Sequence, residues 1–396
     1  MPRQTRISRA ENIGFAQKLR HFNWTLFALM CLVLILSLIS LYSAGKPGGL
    51  SPEALAKGGS FGGWRPYAVS QMGKIALGMV VFFVAAFANI KTWLKNSYLI
   101  YFLALGLVVL VTFVGHTGMG AQRWLNLGVF HIQPSEFIKI ALVMALARYF
   151  AWQNSVELSK FKNYLLPIAM MVVPFALIVA QPDLGTAVSL GLITIGVFWI
   201  VGANKKWFII AVILAAIAAP IAWYGGMHDY QRSRIITFVN PDNDPSGAGY
   251  QINQSKIAFG SGGIIGKGFL NGTQSHLSFL PEKQTDFIFA MFGEELGFVG
   301  GFALILIYSA IIGMLFWFAK KSRNRFGQLL CFGFMLNFFV YYFINIAMVL
   351  GLMPTVGVPL PLMSFGGSSL LSLMFGFGLT QNAHINKDQQ LSAKGI

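Results

Sequence analysis

Long, nearly uncharged apolar runs recur along this chain and leave room for little except membrane helices. The run Trp24–Ser43 has about 20 residues, enough to cross hydrocarbon as a helix and too long for the core of a cleaved signal peptide, and no clean small-residue cleavage site follows it. Runs of the same character lie at Ala68–Ala88, Leu99–Val114, Pro134–Tyr149, Tyr164–Ala180, Gly185–Val201, Trp207–Trp223, Phe287–Phe318, Leu329–Leu352 and Phe365–Thr380, the eighth of them overlong. Within hydrocarbon every backbone N–H and C=O must be satisfied inside the segment, so the expected fold class is an all-α polytopic membrane protein with ten transmembrane helices. Only 11% of the residues are charged, against roughly 25% in soluble domains.

Charge sets the orientation. With the N-terminus inside, the inner segments hold 18 of the 29 Lys and Arg residues, among them Arg3, Arg6, Arg9, Lys18 and Arg20 ahead of the first run and Lys320, Lys321, Arg323 and Arg325 after the eighth. Every short inner loop is basic, while ten of the 13 acids fall on the outer half. The positive-inside rule then puts both termini in the cytoplasm. The expected organisation is a basic leader over residues 1–22, a membrane domain over 23–382 and a short cytoplasmic tail over 383–396. A large outer loop, 225–285, separates helices 7 and 8. Its balanced charge and its apolar stretches Ile235–Phe238 and Ile257–Leu270 predict short helices folded over the membrane domain as a lid.

Several chemistries are excluded. The net charge of +16 does not signal nucleic acid, because the basic residues are spread between apolar segments and form no patch with interleaved aromatics. Cys31 and Cys331 each sit in an apolar run, which rules out a disulfide framework and a cysteine zinc site. The six histidines lack metal-ligand spacing. Gly262–Gly268 imitates a phosphate loop, but Gly268 stands where Ser or Thr belongs. Gly297 and Gly301 read as a helix-packing GxxxG.

Polar chemistry gathers on the outer half in three clusters and one boundary. In the first cluster Arg123 and Trp124 precede Gln133-Pro134-Ser135-Glu136-Phe137-Ile138-Lys139. Glu136 and Lys139, three apart, share one helix face inside the apolar region, either as a self-neutralising pair or as part of a site. Arg123 could bind an anion. Trp124 could stack on a sugar or anchor at the interface. The second cluster is the tight turn Gln181-Pro182-Asp183-Leu184-Gly185-Thr186, where Asp183 either caps the next helix or opens to the same face. In the third, Leu360–Ser369, proline and paired glycines either break a helix beside a cavity or start a tightly packed one.

The boundary lies within Gly260–Gly301, where a polar, Gly-rich run meets a long apolar one at Asp286. A carboxylate there loses hydration, which raises its basicity and makes it a candidate proton acceptor; the alternative is a helix N-cap.

These motifs, in this order, closely resemble the SEDS proteins of shape, elongation, division and sporulation: Gly272-Thr273-Gln274-Ser275, Leu280-Pro281-Glu282-Lys283, Thr285-Asp286-Phe287-Ile288-Phe289, Gly293-Glu294-Glu295-Leu296-Gly297, and the three clusters above. Gly272-Thr273-Gln274-Ser275 and the short tails look more like the elongation branch (RodA-like) than the division branch (FtsW-like). The resemblance implies a peptidoglycan glycosyltransferase of the bacterial inner membrane. Such an enzyme polymerises lipid II on the outer side, alongside a class B penicillin-binding protein that crosslinks the strands and the rest of the elongation machinery. The family's required loop aspartate falls on Asp286, with Glu282 as backup. A β-linked product from an α-linked donor demands inversion, so one carboxylate base suffices.

Lys139, Arg123, Lys283 and Lys267 are the cations available to the leaving pyrophosphate, Lys139 foremost, and Gln274 and Trp124 complete the expected substrate contacts. No organic cofactor is expected; a divalent cation, Mg²⁺ or Mn²⁺, on Asp286 or Asp183 is compatible with pyrophosphate chemistry. The competing reading is a lipid II flippase, which would need polar groups through the whole membrane depth. A mere scaffold would leave Asp286 and Glu136–Lys139 without a task.

Overall fold

The computed structural model describes residues 14–45, 65–118, 121–126, 131–227, 229–240, 247–276, 279–280, 282–389 and 391. Most of the basic leader, most of the Gly45–Arg65 loop and the end of the tail lie outside them. After a short helix α1 (Phe15–His21), the long helices are α2 (Trp24–Ala44), α3 (Arg65–Phe87), α4 (Ile90–Val114), α5 (Pro134–Phe150), α7 (Lys162–Ala180), α8 (Leu184–Val201), α9 (Lys205–Ile221), α13 (Ile288–Lys321), α14 (Arg325–Val349) and α15 (Ser368–Ile385). A single turn, α6 (Ser155–Leu158), precedes α7, and the large loop carries α10 (Asp229–Val239), α11 (Ala248–Ser261) and α12 (Thr273–His276).

Among the described residues 8 helices are long and apolar enough to cross a membrane. The other two expected spans are also helices, α5 and α15, and differ in being the bundle's interior. In α5, Phe137, Arg148 and Tyr149 are the residues not buried, and α15 is buried over most of its length. Wrapped by neighbours, they can hold Glu136, Lys139, Gln381 and Asn382 where a lipid-facing helix could not.

Helix starts fall outside the apolar runs. α4 begins at Ile90, nine residues before the expected Leu99, because Asn89 caps it by accepting from the Lys91 N–H at 3.0 Å. α14 begins at Arg325 because Asn324 accepts from the Gly327 N–H. Apolarity marks the hydrocarbon, whereas caps mark the helix.

The described residues between Gly115 and Gln133 form a three-stranded antiparallel meander, β1 (His116–Gly118), β2 (Ala121–Asn126) and β3 (His131–Ile132), with Leu125 opposite Ile132. These strands are too short to carry a visible alternation. At the other end, α15 lies against α3 so closely that a Cβ on Gly378 would stand 2.6 Å from the Ala85 Cβ. There Asn382 donates its amide to the carbonyls of Ala85, Ala86 and Ala88, satisfying the open C-terminal end of α3.

Candidate active site

The overlong helix α13 is broken. Gly297 takes φ 65 and ψ −165, which divides a short inner piece from the long span. The glycine loop after α11 heals the break. Lys267 N–H donates to Glu294 O at 3.1 Å, Gly268 N–H to Glu295 O at 3.0 Å, Phe298 N–H to Gly263 O at 2.9 Å and Val299 N–H to Ile264 O at 3.1 Å. Gly266, at φ +90, meets the Glu295–Gly297 backbone where no Cβ fits. The run that imitates a phosphate loop therefore serves as a cap for a helix break; Gly297 packs against the Ile264–Gly266 backbone and supplies the positive φ of the break, and Gly301 packs against the Phe259 ring.

Glu294, fully buried, anchors the same junction by accepting from Lys267 Nζ at 2.8 Å, Thr273 N at 2.8 Å and Gln274 N at 3.0 Å. Lys267 and Gln274 are thus placed at the break, and Lys267 is committed to Glu294.

The short N-terminal piece of α13 follows directly on the turn that holds Asp286. The turn ahead of it is tight: Glu282, at φ 54, accepts from Thr285 N–H at 3.1 Å and Asp286 N–H at 3.2 Å, and its carboxylate accepts from the Thr285 hydroxyl at 3.0 Å. The N-cap position belongs to Phe287 and has no side-chain cap bond. Asp286 is therefore not the cap.

What holds this turn is the third cluster, which enters the bundle ahead of α15 as a buried turn closed by Met363 N–H and Ser364 N–H on Leu360 O at 3.2 and 3.0 Å. Phe365 N–H donates to Gln284 O at 2.8 Å, Ser364 Oγ to Thr285 O at 2.5 Å, and Asn345 Nδ2 bridges Asp286 O at 2.9 Å and Val358 O at 2.7 Å. The freed carbonyls of that cluster are met by side chains, Ser37 on Met363 at 2.7 Å and Tyr308 on Pro361 at 2.5 Å. Asp286 is left half-buried, its Oδ2 3.5 Å from where a Cβ on Gly357 would stand. Burial pushes its carboxyl up to about 6 from the ordinary 3.8; the Glu282 carboxylate adds to this and Arg234 opposes it. Lys283, on the same turn, has its ammonium pKa lowered by burial.

Beside this turn the first two clusters fuse. Lys139 Nζ lies 2.8 Å from Glu136 Oε1, donates to the Tyr341 hydroxyl and sits 3.5 Å above that ring, and Tyr341 OH donates to Glu136 Oε1 at 3.2 Å. Asp183 caps α8 by accepting from Thr186 N at 3.3 Å and Thr186 Oγ1 at 3.0 Å. It also accepts from Gln133 Nε2 at 3.3 Å and pairs with Arg123 at 3.8 Å. Arg123 donates Nε to Gln181 O at 3.1 Å and a second N–H to Pro182 O.

A cavity of about 240 Å³ opens here, lined by Arg123, Asp183, Gln231, Arg234 and Thr355 among others. Arg234 reaches it from α10 and donates to Thr355 O at 3.0 Å. Lys139 is 1% exposed and is not among the lining residues, so the cations facing this space are Arg123 and Arg234. Trp124 is half-buried on β2 next to Arg123.

The pattern shared by the FtsW/RodA/SpoVE cell cycle proteins matches residues 23–389 of this chain. The chain belongs to this family. It is 44% identical over 317 residues to the peptidoglycan glycosyltransferase MrdB of Escherichia coli strain K12, covering 80% of this chain and 85% of that one. With MrdB of Helicobacter pylori strain 26695 it shares 37% over 315 residues, 78% and 80% of the two chains. A solved structure described as the structural coordination of polymerization and crosslinking by a peptidoglycan synthase complex superposes with a TM-score of 0.77 at 26% identity, over 93% of this chain and 99% of that one. The rod shape determining protein RodA of Thermus thermophilus shares the fold at a TM-score of 0.67 and 24% identity, over 93% of this chain and 98% of that one.

Four site residues were not foreseen from sequence as members of this FtsW/RodA/SpoVE site: Tyr341, Asn345, Arg234 and Gln231. Two of them carry a signal. Asn337, Tyr341 and Asn345 recur every fourth position in an otherwise apolar run, a buried polar stripe along one helix face. Arg234 and Gln231 carry none, because their place depends on how α10 folds over the bundle. A divalent cation at Asp286 or Asp183 would have to be held by a single carboxylate together with the substrate's phosphates. Among the described residues no three His, Cys, Asp or Glu side chains gather to hold an ion, and Asp183 is taken by Thr186, Gln133 and Arg123.

Proposed function

We infer that this chain is a peptidoglycan glycosyltransferase of the bacterial inner membrane that polymerises lipid II into glycan strands for cell elongation. The reading has ten spans, both termini in the cytoplasm and the Asp286 end of the bundle outside. The observation that carries it is a desolvated carboxylate, Asp286, on a turn clamped by Asn345, Ser364 and Phe365, beside a cavity with two arginines.

Asp286 takes the proton of the acceptor sugar's 4-hydroxyl as that oxygen attacks the donor's anomeric carbon. The bond from that carbon to the lipid pyrophosphate breaks, giving inversion at the donor and release of undecaprenyl pyrophosphate. Arg123 and Arg234 face the charge that develops on the leaving pyrophosphate. Glu136, Lys139 and Tyr341 act behind them, fixing α5 against α14 and through Thr186 and Asp183 the place of Arg123. Lys139 is thus a positioning residue here, and Glu282 shapes the turn and raises the basicity of Asp286.

Transport of lipid II is supported less well. Among the described residues the buried polar groups at the opposite end of the bundle are neutral, and Asn382 and Asn386 there are occupied with one another and with backbone carbonyls.

A class B penicillin-binding protein is the proposed partner, docking on residues 225–285 and shifting the position of α10 and with it Arg234. The test is purified protein in vesicles with labelled lipid II, alone and with that partner. Glycan strands should form, and the partner should raise turnover more than substrate affinity while protecting residues 225–285 from protease. Transbilayer movement without strands would contradict the reading.

A further inference from the structure

At the end of the bundle opposite Asp286 lies a second cavity, which the chemistry above does not use. It measures about 260 Å³, and Ala151 and Trp152 just past α5, Arg323 and Arg325 at the start of α14, and Leu391 of the tail line it. Its charged lining residues are both arginines. Arg325 is half-buried, and among the described residues its hydrogen bonding amounts to Nη2 on Val201 O at 3.5 Å. Arg323 gives its backbone N–H to Lys387 O at 2.8 Å and lies 3.4 Å from Asp388, with its side chain 74% exposed. Among the described residues the other acid at this end is Glu157, whose carboxylate is spent on α6, accepting from Asn154 N–H at 2.9 Å.

A guanidinium presents five N–H donors in a planar fork, so one long bond to a carbonyl leaves most of those on Arg325 to an outside acceptor. Two guanidinium groups facing one cavity repel each other, and an anion between them turns repulsion into attraction. Phosphate fits this need, because its oxygens take bidentate pairs from more than one arginine. Size narrows the choice further. The cavity falls below the roughly 300–1,000 Å³ of ordinary ligand pockets, which suits a phosphate or a headgroup and not a large cofactor. Trp152, 39% exposed where α5 ends, marks the border between hydrocarbon and water, the depth of lipid phosphates.

We propose that Arg323 and Arg325 form a phosphate-binding site, separate from the Asp286 site, that takes the phosphodiester of an anionic phospholipid or a soluble phosphate. Occupied, it ties the end of α5 to the start of α14. These two helices carry Lys139 and Tyr341, and Arg325 and Tyr341 are about 24 Å apart along α14 at about 1.5 Å per residue. The site stands without the polymerase reading. On the topology of that reading the lipid belongs to the cytoplasmic leaflet, whose anionic headgroups basic pockets between helices attract.

The test is thermal unfolding and native mass spectrometry of the full chain in neutral detergent. One series receives phosphatidylglycerol with phosphatidylcholine as control, the other inorganic pyrophosphate. Wild type should bind one molecule more of one probe than Arg323→Gln with Arg325→Gln does, and the double variant should lose about tenfold or more in affinity. The probe should raise the wild-type midpoint and leave that of the variant in place. Loss of phosphatidylglycerol identifies a lipid site, and loss of pyrophosphate a soluble one. Lys91→Gln with Lys95→Gln removes the same charge from the same end, outside the cavity, and should bind as wild type does. Unchanged binding of both probes by the arginine variant overturns the site. So does an equal loss in the lysine variant, which would make the binding diffuse attraction to a basic face. If the arginine variant unfolds without probe, Arg323→Lys with Arg325→Lys replaces it; this pair keeps both charges, lacks the planar fork, and must still bind more weakly than wild type for the site to stand.

Discussion

Asp286→Asn should abolish strand synthesis, by about 10²–10⁴-fold, while the protein remains folded and inserted. Asn is nearly isosteric and can pack beside Gly357 as Asp does, and the Asn345 bridge uses the Asp286 backbone carbonyl, which the substitution leaves in place. It cannot accept the acceptor's proton. Stability separates the roles further. Because the folded pKa lies above the ordinary value, the charged form opposes folding, progressively as pH rises from about 4 to about 6 and fully above that. Asp286→Asn should therefore raise Tm at pH 8 and leave it unchanged at pH 4. An Asn variant with near-wild-type turnover would remove the general base from the account.

The buried pair gives the second large effect. Lys139→Met leaves the Glu136 carboxylate, 4% exposed, without its cation and should cost about 3–5 kcal/mol, with activity falling together with stability. Glu136→Gln with Lys139→Met removes both charges and should restore the thermal midpoint to near wild type. Turnover should stay well below wild type, because Tyr341 loses both charged groups that place it, the Lys139 ammonium and the Glu136 carboxylate. Full recovery of activity in the double variant would mean that the pair only neutralises itself. Thermal unfolding in detergent and strand synthesis, measured on the same preparations, decide it.

Much of this site is legible in the chain, for a physical reason. A charged residue inside an apolar run has few excuses, so Glu136 and Lys139 stand out from their surroundings alone, and Asp286 stands out by its place where a polar run meets an apolar one. The pairing of Arg123 with Asp183 does not, because it joins a strand to a helix cap across 60 residues of chain that periodicity cannot connect. The break at Gly297 was hidden for the opposite reason. Its flanks are apolar and helical, so the run reads as one long helix, and what ends it is a loop nearly thirty residues earlier whose glycines resemble another motif. Lys139 shows the limit of residue type as a guide. Its charge and depth mark it as important, but its enclosure by Glu136 and Tyr341 gives the cavity to Arg123 and Arg234 instead.

The pH dependence of kcat/KM for strand synthesis tests Asp286 as the base most directly. Burial has moved this carboxyl to about 6, so the account predicts a rate that climbs about tenfold per pH unit below that value and levels off above it. The residual rate of Asp286→Asn should show no such limb. A wild-type profile flat from pH 5 to pH 8, or the same limb surviving in the Asn variant, would contradict the account.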